Sequence, residues 1–321
     1  MRDRQFLLGS IALILAATGF GMLGPVARLA YDAGFEPMAF VAWRATFGCL
    51  AIVVIVTLVA RRRGTSIADP RRLPRGDSAG LVVIALAGLG VNIASFIAFD
   101  LTTVALVLLA FYTYPALVAV VAVALGHERL DGSHLVALGL ALGGMVLVVA
   151  GGLVASGTGA AFNPVGVLLG LTAAMFQTTF VTVSRGRFAT VPSEQAMGWV
   201  MLVTAVTCLA IAIGLGDRLD VPLHDARALG LAMLAGIAGA GIPSVLLLVG
   251  IRAIGGTRSG ILMLIEPLVG VSLAAILLHE AVLPIQVVGG AAILGAAILL
   301  QRRAPAAAHE LGAAVAIAER T

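Results

Sequence analysis

Two charged side chains stand inside runs of sequence otherwise apolar enough to exclude them, and their types set the chemistry to look for. Glu266 lies about ten residues into the apolar run 257–278, roughly 15 Å from its start at 1.5 Å per residue. A carboxylate at that depth must line water, carry a proton or be paired. It can bind a proton or the amino group of a solute, and its competing role is to shape the fold. Pro267 follows it and removes one helix hydrogen bond, leaving a carbonyl that also favours a polar lining. Arg44 lies about 10 Å below the end of the run 38–60, where it can snorkel, pair with a carboxylate or face a cavity. Phe111, Tyr112, Thr113 and Tyr114 precede Pro115 in a chain with only 5% aromatic residues. Tyr112 and Tyr114 could stack on a cationic or apolar ligand, or simply pack. Asn92 and Gln177, with Thr178 and Thr179, are further polar candidates, and hydrogen bonding between helices is the plainer use for most of them.

Other chemistries fall away. All 20 basic residues are Arg, so there is no phosphate-binding lysine, Schiff-base lysine or Ser-Lys dyad. Cys49 and Cys208 sit in apolar runs with no metal or disulfide spacing. The G-x-G-x-x-G match at 19–24 is embedded in an apolar segment with no strand before it, which points to helix packing and a hinge rather than a nucleotide. His127-Glu128 and His279-Glu280 lack the H-E-x-x-H spacing of a zinc site and read as charged helix ends. The expectation is no metal, no cofactor and no enzymatic activity.

The elements that hold these residues follow from composition. Residues of the AVILMFWYC set make up 60% of the chain, charged residues 11%, and the mean hydropathy is +1.10. Eleven per cent charge cannot clothe a soluble domain, so the sequence predicts an all-α integral membrane protein. Soluble enzymes and nucleic-acid binders are excluded, although the pI near 9.8 would suit the latter. Runs of about 20 apolar residues fall near 6–28, 38–60, 79–99, 102–125, 133–153, 164–184, 195–215, 228–250, 257–278 and 284–301. With the N-terminus inside, only Arg28, Arg218 and Arg227 fall outside and Arg44 falls within a span, so the alternation supports ten spans with both termini cytoplasmic. Arg2 and Arg4 before an apolar run look like a signal peptide, but the segment is expected to stay as the first span. The basic loop 61–77 would orient the chain and meet anionic lipid.

The chain also repeats itself. Pro115, His127 and Glu128 recur 152 positions on as Pro267, His279 and Glu280, and Tyr114 then occupies the place of Glu266. A weaker echo joins Gly9, Ala16, Ala17, Val26 and Arg28 to Gly166, Ala173, Ala174, Val183 and Arg185, and Trp43 to Trp199. Each half holds five spans, an odd number, so the copies must cross in opposite senses. Inverted repeats of this kind are a recurring design of secondary transporters.

These residues resemble the EamA branch of the drug/metabolite transporter superfamily. The likeness rests on Pro115 through His127-Glu128-Arg129-Leu130 to Gly139, Gly143 and Gly144; on Glu266-Pro267, His279-Glu280, Gly289, Gly290 and Gly295; and on Trp43-Arg44-Ala45. Val200 departs from the pattern, since the second-half echo of Arg44 lacks the charge. The resemblance implies two inverted five-helix repeats around a central cavity, here 1–155 and 156–303, with 304–321 as a cytoplasmic tail. It implies a multi-pass secondary transporter of the plasma (inner) membrane, with a small-molecule substrate, the lipid bilayer as partner, no nucleic acid, and a monomeric or homodimeric state. Efflux of amino acids or related amine metabolites is the expected activity. Glu266 is the candidate for proton coupling, and Glu266, Tyr114, Tyr112, Arg44, Asn92 and Gln177 are the candidate substrate contacts. A metabolite importer or broad drug exporter remains the alternative, and outside that class a passive channel or membrane enzyme.

Overall fold

The computed structural model describes residues 2–63, 73–102, 104–126, 131–155, 163–186, 190–277, 279 and 282–299. Every regular element among them is helical, as it must be where lipid offers no partner for backbone N–H and C=O groups. In chain order the helices are α1 Arg2–Gly21, α2 Leu23–Asp32, α3 Pro37–Arg63, α4 Arg75–Leu101, α5 Val104–Phe111, α6 Tyr114–Ala124, α7 Gly132–Ala155, α8 Pro164–Gly186, α9 Ser193–Leu215, α10 Val221–His224, α11 Ala226–Gly236, α12 Ile242–Ile254, α13 Gly256–Met263 and α14 Glu266–Leu277. A shorter apolar helix, α15, covers Pro284–Leu299. A π-helical turn, Ile237–Gly241, joins α11 to α12. Among the described residues nine helical stretches are long and apolar enough to cross a membrane, and α15 occupies the place of the tenth run.

The apolar runs are found where the sequence places them, but several are broken. The first divides at Met22, the fourth at Tyr112–Thr113 and the ninth at Leu264–Ile265. Proline explains the last two: Pro115 and Pro267 sit at the second position of α6 and α14, where the missing N–H costs least. The turn between the eighth and ninth runs is a single residue, Gly255, whose φ of 87° is open to glycine and strained for other residues. The small helix α10 had no counterpart in the sequence reading.

Outward faces carry Leu15, Leu50, Val54, Val82, Leu86, Val120, Val136, Leu168, Met175, Val206, Ile213 and Val287, each more than a third exposed, which suits lipid and not water. Small side chains fill the interior, including Ala16, Ala17, Ala173 and Ala174, all with no exposed surface. They let helix backbones approach where lipid supplies no hydrophobic drive to associate. Packing follows the repeat: α1 lies on α12 and α8 on α4, α3 lies on α9, and α6 lies on α13. Gly9 abuts Ala253 and Ile254 of α12, while its echo Gly166 abuts Thr102 and Ala98 at the end of α4. Gly144 of α7 and Gly289 of α15 face each other so closely that a Cβ on either would lie 2.5 Å from the other's carbonyl oxygen. Gly139 and Gly143, by contrast, meet nothing within 4 Å.

At one end of the bundle the halves are tied through polar links. The Ala39 N–H donates to Asp217 (3.0 Å), the Arg218 N–H to Glu36 (2.7 Å) and Trp43 Nε1 to the Leu219 carbonyl (3.0 Å). At the other end the Arg252 guanidinium donates to the Val191 carbonyl and the Ser193 hydroxyl, and the Thr190 hydroxyl donates to Asp77.

Candidate functional site

The two proline breaks stand at equivalent places in the halves. Tyr112 and Thr113 form the first break and Leu264 and Ile265 the second, 152 positions on. Each is followed by the first residue of a new helix and then proline: Tyr114-Pro115 in α6, Glu266-Pro267 in α14. Pro115 and Pro267 cannot donate back to the carbonyls of Phe111 and Met263. Glu266 therefore opens a helix inside the bundle, where the free N–H groups and the helix dipole favour negative charge. It is the only acidic residue in that first turn.

The breaks meet. The Tyr112 hydroxyl donates a hydrogen bond to the Glu266 carboxylate, and Tyr114 lies within electrostatic reach of it. Phe111 places its ring centroid 5.4 Å from that of Tyr112 and 5.3 Å from that of Tyr114. Both tyrosines are 2% exposed, whereas Glu266 is partly exposed. Glu266 is thus the partly exposed member of the cluster, and the two tyrosines pack beside it. Gly260 of α13 lets Pro115 approach, since a Cβ there would lie 3.1 Å from the proline ring. Gly21 does the same for α1: its Cβ position is 2.6 Å from the Glu266 carbonyl oxygen and 2.8 Å from Val269.

Arg44 is not paired with Glu266. Its Nη2 donates to Asn92 Oδ1 at 3.0 Å, and Asn92 Nδ2 donates to the Gly88 carbonyl at 2.8 Å. The second bond turns the amide oxygen toward the arginine. Tyr31 and Cys208 are the other polar side chains within electrostatic reach, and no carboxylate among the described residues forms an ion pair with it. Its Nε is buried without a hydrogen-bond partner.

Glycine contacts place the backbones of the two charged residues at one level. The antiparallel pair α1 and α12 sets Gly9 against Ala253, and further on Gly19 lies against Ala238, with its Cβ position 2.6 Å from that carbonyl oxygen. Two residues beyond Gly19, Gly21 touches the Glu266 carbonyl. Two residues before Ala238, Gly236 touches the Arg44 carbonyl, its Cβ position 2.7 Å away. Both steps run the same way along the bundle and each is about 3 Å long.

The remaining candidates separate from these clusters. Gln177 is half-buried on α8 and makes no hydrogen bond to the others among the described residues. Thr178 and Thr179 donate to the carbonyls of their own helix, Ala174 (2.8 Å) and Met175 (3.0 Å), rather than between helices. His127, Glu128, Arg129, Leu130 and Glu280 lie outside the described residues, as does the tail 304–321; His279 is exposed. Among the described residues no group of three His, Cys, Asp or Glu could hold a metal ion. A groove of about 520 Å³ between α1, α9 and α12, bordered by Arg4, Leu8, Val249 and Arg252, shares no residue with either cluster.

One partner escaped the sequence reading. Tyr31 attends Arg44, so all three tyrosines of the chain gather at the two charges inside the bundle. Their scarcity was the available signal.

Comparison with known proteins bears on the fold and the family. No curated protein sequence matches the chain. A solved crystal structure superposes with a TM-score of 0.72 over 94% of this chain and 98% of that one, at 21% identity, which speaks to the fold alone. The profile of the EamA-like transporter family matches residues 7–150 and again 164–302, one match in each half. The chain, which encloses a carboxylate between two tyrosines at paired helix breaks, belongs to the EamA-like transporter family.

Proposed function

We propose that this membrane protein is a secondary carrier that exports amino acids or related amine metabolites by alternating access, with Glu266 as the group that binds the solute amine or a proton. The observation that carries this reading is the Tyr112–Glu266 hydrogen bond across the two helix breaks. A partly exposed carboxylate at the start of a half-helix, walled by buried tyrosines, suits a cation that must bind and leave. The tyrosine faces complement an ammonium and its hydroxyl holds the carboxylate in place.

The ten-span, two-repeat architecture supplies the motion. Residues 1–155 and 156–303 form the halves, both termini lie in the cytoplasm, and rocking about a central cavity exposes the Glu266 level to each side of the plasma membrane in turn. The pairing of α1 with α12 and of α8 with α4 supports this, because each contact has its counterpart in the other half. The same carboxylate, protonated from one side and deprotonated to the other, couples transport to protons.

Counterflow in proteoliposomes with a panel of labelled amino acids and amines tests the reading. Saturable counterflow with at least one member is the expected result; absence with every member removes the proposed substrate class, and unsaturable leak would indicate a channel.

A further inference from the structure

From the geometry around Arg44 we infer that the Arg44–Asn92 pair is the anion-recognising half of the solute site and takes a carboxylate, so that the preferred solutes carry both an amine and a carboxylate. This rests on the proposed function and decides between the amino acids and the simple amines that it leaves together.

Three observations carry it. A guanidinium inside a membrane span calls for a counter-anion, and among the described residues no carboxylate of the protein forms an ion pair with it. Asn92 occupies Nη2 while Nε is buried and unpartnered, and the residue as a whole stays partly exposed. The side chain is therefore fixed in orientation and keeps a donor without a partner. A guanidinium anchored at one nitrogen and short of an acceptor at another matches a planar carboxylate, which can accept two parallel bonds. Finally, the backbones of Arg44 and Glu266 share a level along the bundle through the Gly236 and Gly21 contacts, which suits a solute held across the bundle with one end toward each.

Neutral partners account for the rest of the arginine's surroundings. Tyr31 on α2, Cys208 on α9 and Asn92 on α4 supply polarity without a negative charge. Val200, in the second half, has no charge where Arg44 has one, so the anion site exists once.

The test uses the full chain in proteoliposomes and matched solutes: an amino acid, the amine left by removing its carboxylate, and its neutral amide. The wild-type protein is expected to favour the acid over amine and amide by roughly 10- to 100-fold in half-saturation, the effect of one charge-assisted contact. Arg44→Gln is expected to abolish that preference while amine counterflow persists, and Arg44→Lys to restore part of it. Equal half-saturation for all three solutes in the wild type overturns the inference, as does a preference that survives in Arg44→Gln. Should Arg44→Gln not fold, the wild-type comparison alone decides. If no amine-bearing solute moves, the proposed function fails and this inference is read separately: the melting temperature of the purified wild-type protein should still rise with the amine-free carboxylic acid, and no rise overturns it.

Discussion

The two proline breaks invite comparison because they begin from the same frame and end in different chemistry. In the first half the residue between break and proline is Tyr114; in the second it is Glu266. Tyr114 is buried at 2% exposure, and Tyr112 beside it spends its hydroxyl on the other half's carboxylate. On the proposed reading the first break is a wall and the second a binding group. A duplicated frame with one substituted position yields a single ionisable site on the axis between halves, where two would repel each other in a medium of low dielectric.

The largest effect should come from exchanging the charge for its neutral isostere. Glu266→Gln keeps the volume and the helix start but removes the anion, and truncating one partner of a buried charged contact costs about 2–5 kcal/mol. Transport of amine-bearing solutes is expected to fall roughly 100-fold and to lose its dependence on pH. The mirror substitution, Tyr114→Phe, should leave both within about twofold, since a hydroxyl that does not bond the carboxylate contributes little by comparison. Vesicle uptake compared at acidic, neutral and alkaline pH checks the pair. Unchanged transport by Glu266→Gln at every pH would remove the proposed role.

Next in size is Tyr112→Phe. The hydroxyl donates to a carboxylate, a bond worth about 1.5–3 kcal/mol, so half-saturation for the solute should rise by about tenfold. The rate at saturation should change less, because Glu266 itself remains. A larger loss at saturation than in affinity would mean that Tyr112 sets the motion of the halves and not the site.

How much of this was legible beforehand differs between backbone and side chains. Apolar run length and the Arg alternation located the helices because lipid penalises every exception, so composition alone carries that information. The breaks were half legible. Proline marked where α6 and α14 start, and the glycines at 19–24 were read as a hinge, where the chain divides at Met22; the π turn at Ile237–Gly241, just ahead of Pro243, had no counterpart in the sequence reading. Glu266 stood out because a carboxylate in an apolar run is expensive. Its tyrosine partner did not, since the hydrogen bond joins residues 154 positions apart and only the folded repeat brings them together. Arg44 was visible for the same reason as Glu266, but its pairing with Asn92 was not, as nothing in the spacing of 48 residues couples them.

A smaller effect separates two glycines near the first break of α1. A Cβ at Gly21 would lie 2.6 Å from the Glu266 carbonyl oxygen and 2.8 Å from Val269, so Gly21→Ala must push α14 away and should cost about 1–3 kcal/mol. Gly24 meets nothing within 4 Å, and Gly24→Ala inside α2 should stabilise by about 0.5–1 kcal/mol through helix propensity. Thermal denaturation of the two variants in detergent should move in opposite directions. A shared direction would mean that α1 does not hold the site's backbone.

The smallest effect lies just beyond the breaks, where α7 and α15 begin at equivalent places with different caps. At α15 the Leu283 N–H donates to Gln286 Oε1 at 2.8 Å, a neutral contact with no pH response. At α7 the exposed Asp131 carboxylate accepts from the Ser133 hydroxyl at 2.6 Å and the His134 N–H at 2.9 Å, with His134 Nδ1 2.7 Å away. Those donors, the Ser133 hydroxyl first, hold its carboxyl well below the usual carboxylate range. A depressed value in the folded state means that the contribution is complete above the unfolded value of about 3.9 and is lost as pH falls below it toward the folded one. Solvent screens the exposed group, so Asp131→Asn should lower the melting temperature by about 1 °C at neutral pH, and the difference from wild type should vanish in strong acid. Gln286→Glu should not carry that acid sensitivity to α15: Gln286 is buried and its Nε2 also donates to the Val148 carbonyl at 3.3 Å, so a carboxylate there faces a carbonyl and is better tolerated protonated, in acid. If the Asp131→Asn difference instead persists in strong acid, below the folded value of the carboxyl itself, the cap works through its hydrogen-bond geometry and not its charge.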